Sequence, residues 1–383
     1  MAGIYLHIPF CKKRCIYCDF FSTTRKEQKT AYIRALCHEL TDRKDYLKGE
    51  PIETIYLGGG TPSQLAKEDF EAIFSHIYKV YKVTPNAEIT LEANPDDLTS
   101  EYISMLRTFP FNRISMGIQT FQETTLKQLQ RRHTADQAIR AFQGCRTAGF
   151  QNISIDLMYG LPGETLTSWK KDLKQALSLH PEHISAYHLI YEEGTPLWKL
   201  REQHKVEEAD EDLSVSLFGT LIDELTTAGY EHYEISNFCR PDKYSRHNTS
   251  YWRGIPYLGC GPSAHSFNGT TREWNVSSID LYIKGIEGNQ RDFETENLDQ
   301  TTRYNEFIIT TIRTVWGTPI EKLKQEFGNE LWEYCRKMSA PYLENGKLEI
   351  HEGALRLTRE GIFISDSIMS DLLWVCLLYT SDA

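Results

Sequence analysis

Hydrophobic positions in the first half of the chain gather in short runs rich in β-branched and aromatic residues. These are GIYLHIPF (3–10), TIYLGGG (54–60), EITLEANP (88–95), RISMGIQT (113–120), NISIDLMYGL (152–161) and HISAYHLI (183–190). Between them apolar residues recur at helical spacing, as in EQKTAYIRALCHELTDRKDYL and KEDFEAIFSHIYKVY. Strand and helix in turn predict βαβ units and a parallel sheet. Six such units fall short of a closed eight-stranded barrel. The expected fold is therefore α/β, an open, partial (β/α)6 TIM-like barrel. Its strands end in polar or glycine-rich residues, Cys11, Gly58 to Gly60, Glu92, Gln119 and Asp156. That C-terminal rim is where parallel barrels bind their ligands.

The pattern changes after Tyr191. A helix is expected over DEDLSVSLFGTLIDELTTAG, followed by a weakly periodic stretch rich in aromatics, Gly, Pro and His. From about Arg303 the chain reads as short helices ending in KLEIHEGALRLTREG, two short strands around a turn. This suggests a smaller helical, winged-helix-like domain. The expected division is a barrel over 1–235, an aromatic-rich connecting region over 236–300, a helical domain with a β-hairpin over 301–373, and a tail over 374–383. The tail continues no pattern and is expected to be non-native.

Charge and cysteine usage narrow the class. Lys and Arg number 42 against 53 Asp and Glu over 383 residues, a formal balance of −11. Such a chain is poorly suited to neutralising phosphates, so no nucleic-acid partner is expected. No stretch has the apolar length of a transmembrane helix. The N-terminus reaches Cys11 without the features of a signal peptide, and nine unevenly spread cysteines do not form a disulfide framework. A cytoplasmic location is expected, with Cys37, Cys145, Cys239, Cys260 and Cys335 as reduced thiols.

Three of the nine cysteines, Cys11, Cys15 and Cys18, stand in one loop, IYLHIPFCKKRCIYCDF, spaced C-x-x-x-C-x-x-C. Thiolates suit zinc, copper(I) and iron–sulfur clusters. Structural zinc wants a fourth Cys or His close by, and the nearest candidate, His7, lies inside the preceding strand. A 4Fe–4S cluster held by three thiolates keeps one iron open to an external ligand.

The loop resembles the signature of the radical S-adenosylmethionine (SAM) superfamily. That resemblance implies a 4Fe–4S cluster on Cys11, Cys15 and Cys18, with SAM on the open iron and cleavable to a 5′-deoxyadenosyl radical. Together with YLGGGTPS, ITLEANPDDL, RISMGIQTF and SIDLMYGLPGET, the chain is similar to the oxygen-independent coproporphyrinogen III oxidase family over residues 3–373. The family match implies a SAM site made of Tyr5 at the adenine, Gly59, Gly60 and Thr61 at the methionine amine, Glu92, Gln119, Arg131 and Asp156. Arg131 would offset the cofactor carboxylate. A strand aromatic or a glycine run, taken alone, is as readily plain structure. Arg132 and His133 are expected on solvated surface.

Within that family two features favour the HemW heme-chaperone branch. Cys18 is followed by Asp19 and Phe20, where the decarboxylating oxidases carry another cysteine, and few residues precede Tyr5. An H-N-x-x-Y-W string, His247, Asn248, Tyr251 and Trp252, resembles that branch's heme-binding motif. Imidazole is a good axial ligand, and aromatics can lie against a porphyrin. The expected function is binding of heme at His247, Tyr251 and Trp252 and its transfer to acceptor apo-hemoproteins. A flavodoxin or ferredoxin would donate electrons if SAM is cleaved. The alternatives are a coproporphyrinogen III dehydrogenase acting on propionates and a non-catalytic, cluster-bearing regulatory protein. His265 and Cys260 are read as structural.

Overall fold

A computed structural model describes residues 1–375, so the expected tail lies outside the described residues except for 374 and 375. The described chain forms two compact units. The first comprises 1–231, 236–247 and 255–295; the second comprises 232–235, 248–254 and the residues from 296 onward.

The first unit is built on the six expected strands: β1 (Ala2–Ile8), β2 (Ile52–Gly59), β3 (Val83–Ala93), β4 (Arg113–Gln119), β5 (Ile153–Tyr159) and β6 (His183–His188). They pair in sequence order, all parallel. Each strand alternates two kinds of side chain. Ile4, Leu6 and Ile8, Ile55 and Leu57, Ile89 and Leu91, Ile114 and Met116, and Ile155 and Leu157 are almost fully buried on one face. Successive residues point to opposite faces. The other face therefore carries Tyr5 and His7, Thr54 and Tyr56, Glu88, Thr90 and Glu92, Arg113 and Ser115, Ser154 and Asp156, and His183 and Ser185. The apolar face is covered by helices; the polar one lines the concave side of the barrel.

Helices α1 (Lys29–Asp42), α2 (Lys67–Val80), α3 (Ser100–Leu106), α4 (Glu123–Gln128), α5 (Ala135–Thr147) and α6 (Leu166–Ser178) complete the crossovers, with α7 (Pro196–Glu202) and α8 (Glu211–Thr227) after β6. Their starts are set locally. Thr134 and Thr165 accept backbone N–H groups three residues on and form capping boxes with Gln137 and Ser168.

The stretch 236–300 differs from the expected connecting region. After β7 (Glu231–Glu234), which crosses the boundary between the units, β8 (Asn237–Cys239) pairs antiparallel with β6. Past α9 (Arg246–Trp252), β9 (Tyr257–Cys260) joins β1 in parallel on the opposite side of the barrel sheet. Then β10 (His265–Phe267) and β11 (Thr271–Asn275), α10 (Ile279–Glu287) and β12 (Phe293–Asn297) extend that edge. Strands of three to five residues are too short to display a two-residue period, which is why composition alone hid them.

The second unit has α11 (Gln300–Ile312), α12 (Ile320–Glu344), α13 (Arg359–Ile362) and α14 (Ser365–Leu372). Helix α12 is broken at Gly328, whose φ is 83°. The expected hairpin is present as β14 (Leu348–His351) and β15 (Ala354–Leu357), with β13 (Thr318–Pro319) alongside. Tyr304, Ile308, Ile312, Leu323 and Ile368 form its core. Among the described residues no helix is long and apolar enough to cross a membrane.

A buried carboxylate fastens the added edge of the first unit. Glu39 of α1 is 0 % exposed. Its Oε1 accepts from Arg43 (3.2 Å) and Asn275 (2.8 Å), and its Oε2 from Gly261 N (2.9 Å) and Tyr282 OH (2.7 Å). Gln at 39 would leave Arg43 its pair with Glu273 (3.1 Å) but aim an N–H2 at neighbouring donors, a buried mismatch of about 1–3 kcal/mol. Glu39→Gln is therefore expected to lower unfolding free energy by about that amount in urea titration. A loss below about 1 kcal/mol would be typical of an exposed pair instead.

Candidate cofactor site

β1 runs directly into the three-cysteine loop. Cys11 N donates to Thr23 O (2.9 Å) and Thr23 N to Pro9 O (2.7 Å), pinning the loop's return. Ile16 and Tyr17 pack with Leu129, Met158, Leu161 and Leu189 at the far side of the rim. The loop thus has an apolar anchor between its second and third thiols, independent of anything the thiols bind.

All three cysteines are unbridged. Burial pushes the Cys11 thiol up, with Cys15 nearby adding to it, and pushes Cys18 up to about 11, with Cys15 and Cys11 adding to it. Coordination would deprotonate them outright. Among the described residues no three His, Cys, Asp or Glu side chains converge as they would on a single ion. A cluster places each thiolate on a separate iron, so a loop of spaced thiols suits it better than zinc. His7 is not a fourth ligand: its Nε2 is bonded to Phe21 O (2.8 Å) and its Nδ1 to Tyr5 OH (3.1 Å).

The glycine loop after β2 lies against these thiols. Thr61 Oγ1 is 3.3 Å from Cys11 Sγ and accepts from Asn94 Nδ2 at 3.4 Å. Gly59 has φ of 104°, and a Cβ there would lie 2.7 Å from the His7 ring. A Cβ at Gly60 would lie 2.7 Å from the Pro9 carbonyl carbon. Only glycine lets this turn pass so close to β1.

Glu92 ends β3 beneath that loop. Its Oε1 accepts from Tyr56 OH at 2.6 Å and its Oε2 from Gly59 N at 3.2 Å. Burial raises its pKa to about 7 despite the Tyr56 hydrogen bond, with Asp156 adding repulsion. Asp156 accepts from Ser115 Oγ at 3.2 Å, and burial raises it too. Gln119, at the end of β4, has φ of 71°, a left-handed conformation uncommon for a side chain with a Cβ. Such strain tends to sit at functional positions.

Arg131 links the two halves of the rim. Its Nη1 donates to Cys15 Sγ at 3.4 Å, and its Nη2 donates to Asn94 Oδ1 (2.8 Å) and to Gly117 O. Its Nε is buried with no hydrogen-bond partner among the described residues. This orphan N–H, the Glu92 carboxyl and the open glycine turn suit a ligand bearing both a carboxylate and an ammonium.

The structure corrects the placement of Arg132 and His133, expected on solvated surface. Arg132 pairs with Asp96 at 2.6 Å and Asp97 at 3.2 Å. His133 is 3 % exposed, with Nε2 bonded to Ile118 O, and burial lowers its pKa to about 3. Polar residues beside a rim site fold inward to brace it.

His247 lies deep on the polar face, 1 % exposed. Its Nδ1 is bonded to Thr54 Oγ1 at 2.8 Å, and its ring stacks on Tyr56 with centroids 5.0 Å apart. Burial, with Arg113 nearby, lowers its pKa to about 3. Arg113 is itself 1 % exposed, with Nε and Nη1 unpartnered among the described residues. Tyr251 and Trp252 fall in the second unit, where the Arg313 guanidinium lies 4.2 Å over the Trp252 ring. Sequence reasoning missed Tyr56, Asn94 and Asp97 as part of the rim. The two-residue alternation of polar side chains through β2 to β4 was the signal that could have found Tyr56.

Comparison with known proteins agrees with this geometry. Residues 5–176 match the profile of the radical SAM superfamily, and 298–364 that of the HemN C-terminal domain. The heme chaperone HemW of Bacillus subtilis is 31% identical over 97% of this chain and 99% of that protein. HemW of Lactococcus lactis is 35% identical over 84% of both. The structure of coproporphyrinogen III oxidase (HemN) from Escherichia coli superposes with a TM-score of 0.85 at 23% identity, covering 97% of this chain and 90% of that one. Kinship of this extent, on a barrel whose first strand delivers three thiols to the rim, means that the chain belongs to the HemW family of the radical SAM superfamily.

Proposed function

We propose that the protein is a heme chaperone that holds a 4Fe–4S cluster and SAM and passes heme to acceptor apo-hemoproteins. The observation that carries this reading is the near end-to-end similarity to proteins named heme chaperone HemW. Membership in the radical SAM superfamily implies the cluster and SAM. The cytoplasm is the proposed location, and a flavodoxin- or ferredoxin-like protein the proposed electron donor if SAM is turned over.

Cys11, Cys15 and Cys18 would hold the cluster. When bound, cluster and SAM together supply one-electron cleavage of a sulfonium. The chain's own residues orient and charge-match the cofactor. Arg131 presents its Nε to the carboxylate, and Glu92 presents its carboxylate to the ammonium or ribose. Gly59 and Gly60 admit the backbone turn, with Thr61 beside them. Tyr5, Gln119 and Asp156 complete the wall. Heme is the cargo, with His247 as the proposed ligand and Tyr251 and Trp252 as porphyrin contacts. His247 can ligate heme only after its ring leaves the Thr54 and Tyr56 pocket.

Three outcomes test this reading. Cys15→Ala is expected to lose iron and sulfide after anaerobic reconstitution while melting like wild type, because Ile16 anchors the loop; metal analysis with thermal unfolding checks both. SAM affinity is expected to fall as pH drops from 8 to 6, since Glu92, titrating near 7, is then protonated and loses its attraction for the ammonium. Glu92→Gln should be weaker throughout, and the ratio of wild-type to variant affinity should fall toward acid, as equilibrium dialysis at each pH would read. Hemin should bind wild type with a Soret shift that His247→Ala alters or abolishes. An unchanged titration would remove His247 as the ligand. Conversion of coproporphyrinogen III under anaerobic, reducing conditions would instead favour the dehydrogenase.

A further inference from the structure

The cofactor-site segments that hold the three thiols, the glycine turn and Arg131 come from distant parts of the chain, yet one carboxylate reaches all three. Asp97 stands just after β3 with 2 % of its side chain exposed. Its Oδ1 accepts from Lys12 Nζ at 2.5 Å. Its Oδ2 accepts from Ser63 Oγ (2.9 Å), Gln64 Nε2 (2.5 Å) and Arg132 Nη2 (3.2 Å). A carboxylate has about four acceptor sites, so this one is filled. Lys12 follows Cys11, Ser63 and Gln64 follow Thr61, and Arg132 follows Arg131. The remaining contacts close the group: Arg132 Nη1 pairs with Asp96 at 2.6 Å, and Ser63 Oγ accepts from Asn94 N at 3.2 Å.

We propose that Asp97 is the positioning residue of the cofactor site, fixing the cysteine loop, the glycine turn and Arg131 in mutual register so that SAM meets them together. The inference rests on the cluster and SAM reading above and adds to it a residue that touches neither. Two cations and two carboxylates balance within the group, with Lys12 its exposed member and Asp97 its buried centre. The strands are already set by their ladders and apolar face, whereas the three segments are loops beyond the strand ends. Asn at 97 would keep the shape but lose the charge that faces Lys12 and Arg132, and would turn its N–H2 either toward Lys12 or toward the group of Ser63, Gln64 and Arg132. Ser63→Ala removes one neutral donor and should do less.

The test uses the full chain, reconstituted anaerobically with iron and sulfide. The electron paramagnetic resonance signal of the reduced cluster is recorded against SAM concentration, with iron content and melting temperature measured on the same samples. Asp97→Asn is expected to retain the cluster and melt as a folded protein while its SAM affinity falls about 10–100-fold, the range typical of outer-shell partners. Lys12→Met should lose part of that affinity, and Asp97→Glu, which keeps the charge, should recover part of it. Wild-type SAM affinity in Asp97→Asn would overturn the proposal. So would an Asp97→Asn that fails to fold while Lys12→Met binds SAM normally, since Asp97 would then act only in stability. Wild type that takes up the cluster but shows no response to SAM would overturn the SAM reading itself, and the proposal with it.

Discussion

A β-strand has two faces, and every central strand of this barrel assigns them to opposite environments. Ile4, Leu6 and Ile8 or Ile114 and Met116 are removed from water by the crossover helices. That burial, at about 25 cal/mol per Å² of apolar surface, holds the sheet together from outside. The concave side is thereby released from packing duty and can be polar. Tyr56 and Glu92, Ser115 and Asp156, and Thr54 and His247 satisfy one another there in pairs. A closed core of the same size would have tolerated few of these groups unpaired.

The rim follows from that arrangement. Because the strands are parallel, their C-terminal ends all arrive on one side, and each hands a loop to the same space. The cysteine loop needs its own anchor, supplied by Ile16 and Tyr17, because three thiols alone offer no packing. The glycine turn must come so near His7 and Pro9 that no Cβ fits. Arg131 bridges a sulfur, an amide oxygen and a backbone carbonyl while keeping one N–H unpartnered. The site is a set of loops held from behind, with its unpaired groups facing inward.

How much of this was legible depended on the length of the signal. Strands β1 to β6 repeat a two-residue pattern for six or more residues each and were readable, as were the polar residues at their ends. Strands β9 to β11 were not, because three to five residues among glycines and aromatics carry too few repeats. Arg132 and His133 looked like surface because charge next to charge usually is; Asp96 and Asp97, distant in sequence, hold Arg132, and the Ile118 carbonyl holds His133. The H-N-x-x-Y-W string was visible as letters, but not the depth of His247, which depends on Thr54 and Tyr56 of β2.

Arg113 gives this interior one further property. A guanidinium shut away from water with two nitrogens unanswered is a source of positive potential that solvent does not damp. His247 and His183 both lie within its reach, and burial together with that field disfavours adding a proton to either. While its ring rests against Thr54 and Tyr56, His247 is kept as a neutral imidazole, insulated from the swings that make most histidines into sensors.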